Sequence, residues 1–162
     1  MFILNVREIE MEARMEYWKA APGGYKAMMA VEAYLHESGL EKNLMHMVKL
    51  RASQINGCAY CIDMHWKDAR AGGESEQRLY GLGAWREAGY YSDRERAALE
   101  WTEALTNISD GHVPDAVYDL VHPQFTDKEL ADLSWAIAAI NAWNRVAIAF
   151  RSEAGSYRVP RA

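Results

Sequence analysis

Asn56-Gly57-Cys58-Ala59-Tyr60-Cys61-Ile62-Asp63-Met64-His65 holds the only two cysteines of the chain, with a histidine four positions beyond the second. Asn-Gly is turn chemistry, because both residues tolerate positive φ. No Gly or Pro follows until Gly72, which predicts a helix opening near Cys58 and running to about Ala71. Each helical residue turns by about 100°, so Cys58, Cys61 and His65 fall within about 60° of one another on one face. A dithiol and an imidazole are thereby expected along the first turns of a single helix.

That position has chemical consequences. Free N–H groups and the positive end of the macrodipole gather at a helix N-terminus. Both favour thiolate over thiol, and helix position alone selects Cys58 as the nucleophile. His65, one turn beyond Cys61, is placed to hydrogen-bond that sulfur or move its proton. A second cysteine within reach allows an oxidised sulfur to be resolved as a disulfide.

Working outward, the remaining sequence is punctuated as helices. Residues 8–20 are rich in good helix formers, and Pro22-Gly23-Gly24 is expected to end that segment. Residues 25–36 carry Met28, Val31 and Leu35 at helical spacing, and residues 40–54 carry Leu44, Met47 and Val48. A short helix is predicted over 75–82, then an irregular aromatic stretch over 83–91. Ser92-Asp93-Arg94-Glu95 and Thr126-Asp127-Lys128-Glu129 have the form of capping boxes, opening helices to about Thr106 and Phe150. Pro114 suits a first helical position ahead of residues 115–121. Trp135-Ala136-Ile137-Ala138-Ala139-Ile140 is apolar all round, as in a helix buried at a domain centre or in a subunit interface. Asn141, Asn144 and Arg145 behind it need polar partners if buried, and a structural network is the expected use. No segment alternates apolar and polar residues as a half-buried strand would, so the reading is one all-α domain.

Composition narrows the function. With 162 residues, half of them hydrophobic and a quarter charged, the chain has the profile of a soluble globular domain. The net charge of −5 and the lack of a basic patch argue against nucleic acid as a partner. Two closely spaced cysteines suit redox or metal chemistry in a reducing compartment, so a cytoplasmic location is expected. The first residues lack a basic, then apolar, leader pattern, and no signal peptide is expected. Residues 133–150 carry Asn141, Asn144 and Arg145, which favours a core helix over a membrane span. Ile62 follows Cys61 directly, which excludes a c-type haem attachment. Zinc is the serious rival to redox chemistry, with Cys58, Cys61, His65 and His46 as four ligands, but this spacing matches no finger. His36 and His112 read as solvated loop residues, and the Met and Trp residues as packing.

The run Val48-Lys49-Leu50-Arg51-Ala52-Ser53-Gln54-Ile55 and the cysteine motif after it resemble the core of the alkylhydroperoxidase D-like proteins, within the wider carboxymuconolactone decarboxylase family. Residues 25–36, the loop around Trp85 and Asn141-Ala142-Trp143-Asn144-Arg145 are similar too, so the resemblance spans nearly the whole chain. It implies a single all-helical domain over residues 1–162, with a redox core over about 40–110, assembled as a dimer, trimer or hexamer. It also implies a thiol-dependent peroxidase that takes a hydroperoxide and is restored by an external dithiol or protein thiol, with no bound cofactor. By the same resemblance Cys61 attacks the peroxide, Cys58 resolves it, and His65 assists by hydrogen bonding. His46 stands where the family has a proton-relay glutamate; once protonated beside the thiols, it would favour a thiolate. Cys58, Cys61, His65 and His46 are therefore the candidate catalytic residues, with no metal ligand assigned. The decarboxylase members lack the cysteine pair, so lactone decarboxylation is not expected. The alternative from another class is a non-catalytic helical oligomer that binds zinc or senses redox state.

Overall fold

The helix that organises the others is α3, Lys42–Asn56, in the computed structural model, which describes residues 12–160. Leu44, Met45, Met47, Val48, Leu50 and Ala52 of α3 are buried, so it is apolar on more than one side. It packs against α4 (Ala59–Ala71), α6 (Asp93–Thr106) and α8 (Asp127–Phe150). Before it come α1 (Tyr17–Ala20) and α2 (Pro22–His36), the latter lying across α8. The short α5 (Glu76–Gly81) and α7 (Asp115–Val121) each run into a single turn of 3-10 helix. Among the described residues there is no strand, and the molecule is all-α.

Local chemistry accounts for most of the boundaries. Both expected capping boxes form: Ser92 with Glu95 opens α6, and Thr126 with Glu129 opens α8. Each satisfies two otherwise orphaned N–H groups. Three expectations are corrected. Residues 12–16 are not helical, and 8–11 lie outside the described residues. The single turn of α1 has no side-chain cap at Glu16, and one uncapped turn extends poorly. Pro22-Gly23-Gly24 does not end a helix; it forms the first turn of α2. A proline restricts the residue before it, so the break falls on Ala21, at φ −133° and ψ 67°. Pro114 caps α7 from outside, with an extended ψ of 148° and its carbonyl accepting from Val117 and Tyr118.

The core is aliphatic, with Val48, Leu50, Leu82, Leu99, Leu133 and Ile137 fully enclosed. The all-apolar run of α8 is not enclosed within the chain. Ala136, Ile137 and Ile140 point inward, whereas Trp135 is 61% exposed. With Leu105, Ile108, Ala138, Ala142 and Arg145 it lines an open apolar groove. Of the two environments expected for this run, burial at the centre of a single chain is thus excluded for its outer side.

Candidate active site

The turn between α3 and α4 places the sulfurs. Gly57 adopts φ 70° and ψ 30°, the left-handed region where a Cβ is strained. Its N–H bonds to the Gln54 carbonyl at 3.3 Å, and the Cys58 N–H bonds to that of Ser53 at 3.0 Å. This is the double closure of a Schellman turn. The residue that completes it, Cys58, is also the N-cap of α4, with Cys61 one turn in. Both thiols are free and buried, at 1% and 2% exposure.

Their charges separate. The neighbouring Cys61 thiol is the largest influence drawing the Cys58 pKa down to about 7. Burial opposes it, while the backbone amide of Cys61, the side chain of Asn144 and the amide of Tyr60 reinforce it. The amides approach the sulfur without closing a full cap hydrogen bond. The same contact, followed by burial and the negative charge on Cys58, pushes Cys61 well above the ordinary thiol range. Of the two sulfurs, Cys58 is thus the one whose ionisation is favoured.

Asn144 anchors a polar floor beneath the pair. It is fully buried and donates from Nδ2 to Ser53 Oγ at 3.1 Å. Asn56 Nδ2 donates to Asn144 Oδ1 at 2.8 Å and to Asn141 Oδ1 at 2.9 Å. Asn141 in turn donates to Thr106 Oγ1 and to the Ile137 carbonyl. The expected network on α8 is therefore present, and it reaches the sulfurs, a role the sequence reading did not assign to Asn144. On the other side, Ala52, Ile140 and Ala147 form an apolar lining with Tyr60 and Trp143 against it.

His65 does not make the expected hydrogen bond to Cys61. It is buried, at 6% exposure, and neither ring nitrogen has a hydrogen-bond partner, Cys61 included. Burial, then Lys49 and His46, lower its pKa to about 3, so at neutral pH the ring is uncharged, with one nitrogen protonated and the other free to accept. It meets His46 of α3 and Asp68, three residues further along α4; one polar atom from each lies within 4.8 Å of the others. His46 is also held neutral, mainly by burial, with Asp68 opposing and Lys49 and Lys42 adding to the effect. His46 lies against His65, and burial favours its neutral form over the protonated form that would favour a thiolate. The four-ligand set of Cys58, Cys61, His65 and His46 divides into a dithiol and a separate imidazole–carboxylate cluster. Asp68 was missed, although its spacing of i, i+3 from His65 is the available signal.

The family model of the carboxymuconolactone decarboxylase family matches residues 22–104. The uncharacterized protein YdfG of Bacillus subtilis is 44% identical over 146 residues, covering 90% of this chain and 99% of its own. The crystal structure of ATU0492 from Agrobacterium tumefaciens, of unknown function and suggested to be an antioxidant defence protein AhpD, superposes with a TM-score of 0.87. It is 44% identical, over 90% of this chain and 100% of that one. An uncharacterized peroxidase-related protein from Ralstonia eutropha JMP134, with an alkylhydroperoxidase AhpD core, shares the fold at a TM-score of 0.76. Its identity is 22%, over 86% of this chain and 75% of its own. A small all-helical bundle with a dithiol at the head of an inner helix is the class that fold and site define. The chain belongs to the carboxymuconolactone decarboxylase family, and its structural relatives are AhpD-like.

Proposed function

We propose that the protein is a thiol-dependent peroxidase of the alkyl hydroperoxide-reducing kind. The observation that carries the reading is the buried pair of free thiols, Cys58 and Cys61, at the head of α4. The Cys58 thiolate attacks the terminal peroxide oxygen, the O–O bond breaks, and the alkoxide leaves as alcohol after taking up one proton. Cys58 becomes a sulfenic acid. The Cys61 sulfur then displaces its hydroxyl as water, forming the disulfide. An external dithiol or protein thiol reduces that disulfide by exchange and is itself oxidised.

The place of Cys58 at the N-cap of α4, with its lowered pKa, supports this order of the two sulfurs over the reverse order that the resemblance implies. His65 and His46 both favour the neutral form, so neither places a positive charge beside the thiols. Tyr17 and Tyr60 near Cys61 add no charge to this side of the site, which favours uncharged hydroperoxides. The test is one equivalent of peroxide added to reduced single-cysteine variants. Cys61→Ser should yield one trappable sulfenic acid, at Cys58, and Cys58→Ser none. An unreactive wild type would overturn the peroxidase reading; a sulfenic acid confined to Cys61 would reverse the order.

A further inference from the structure

His46, His65 and Asp68 bring three potential ligand atoms together. One imidazole comes from α3 and the other from α4, with a carboxylate three residues further along the same face. A buried imidazole with neither nitrogen satisfied is costly and calls for a partner. His65 is such a group. His46 and Asp68 are only partly buried, which leaves the cluster an opening to solvent. We propose that His46, His65 and Asp68 form a binding site for one divalent transition-metal ion of the zinc class.

The donor chemistry fits. Two imidazole nitrogens and one carboxylate oxygen are a common ligand set for such ions, with water completing the shell. Tetrahedral zinc with bonds of about 2.0–2.1 Å brings its ligand atoms to roughly 3.3 Å of one another. The three donor atoms already lie within 4.8 Å of one another. Metal binding needs neutral imidazole, and both rings are neutral at pH 7. Tyr157, from the chain beyond α8, donates its hydroxyl to Asp68 Oδ1 at 2.7 Å and orients the carboxylate. Lys49 and Lys42 are the nearby cations opposing a bound ion, and Lys49 is paired with Glu32. A bound ion would tie α3 to α4 and, through Asp68 and Tyr157, hold the C-terminal segment.

The experiment uses Zn²⁺ itself, in competition with a chromogenic chelator, on the reduced full chain and on Cys58→Ser/Cys61→Ser. That double variant has no dithiol, so the outcome is independent of the peroxidase reading. One equivalent should bind in both, and His46→Gln and Asp68→Asn should each weaken binding by about tenfold or more. Co²⁺ in place of zinc should give visible ligand-field bands without a thiolate charge-transfer band. The proposal is overturned if the double variant binds no zinc, if a thiolate band appears, or if both His46→Gln and Asp68→Asn bind as the parent does.

Discussion

Replacing Cys61 by alanine removes the largest single influence on the Cys58 sulfur while leaving the helix cap in place. The Cys58 pKa should then rise from about 7 to at least the ordinary thiol value of about 8.5. At pH 7 the thiolate fraction falls from about one half to about 3%, and the lost hydrogen bond corresponds to about 2 kcal/mol. Such a magnitude suits a hydrogen bond to a charged acceptor. The sign is fixed by the thiolate being the form present above the pKa, so the loss is felt at neutral pH and vanishes in strong base. Ultraviolet thiolate absorbance of the reduced protein against pH reads the effect directly. Wild type should show one ionisation near pH 7 and the second far above it. Alkylation at pH 7 should slow only about threefold, because a thiolate of higher pKa is the stronger nucleophile. An unchanged titration in Cys61→Ala, or one near pH 7 that survives in Cys58→Ala, would refute the assignment of charge.

Other perturbations test the frame around the pair. Asn144→Ala should also raise the Cys58 pKa and should leave Asn56 and Ser53 short of a partner, with a loss of about 1–3 kcal/mol in denaturant unfolding. An unchanged midpoint and titration would remove Asn144 from the site. Gly57→Ala forces a Cβ into the left-handed region and should lower stability by roughly 1–2 kcal/mol; a neutral result would mean that the turn relaxes freely. Thr126→Ala should cost about 1 kcal/mol through loss of the α8 cap, read by the same unfolding curve. The groove beside Trp135 should be covered in an oligomer, and sedimentation at micromolar concentration giving a species of only 18.4 kDa would count against it.

What the sequence discloses follows the range of the forces involved. The caps at Ser92 and Thr126 and the turn at Gly57 depend on a few adjacent residues, so each was readable before any fold was known. The placement of Cys58 at the head of a helix was readable for the same reason. The association of His46 with His65 was not, because it depends on the rotational register of α3 against α4. Asn144 bonds to Ser53 across 91 positions of chain, a distance over which spacing rules say nothing. Residues 12–16 have helical propensity and no helix, because propensity is weak without packing.

The Cys58 thiolate is stabilised by dipoles: a thiol, two backbone amides and a side-chain amide. Ionic strength weakens the attraction between separated ions far more than it weakens short contacts with buried dipoles. The reactivity of this sulfur should therefore hold nearly constant from dilute buffer to high salt. A centre of this kind also offers little long-range pull on an anion, in contrast to a thiolate framed by arginines. Its encounters with substrate are governed by diffusion and fit, and the protein can keep a reactive sulfur in a negatively charged molecule without surrounding it with positive charge.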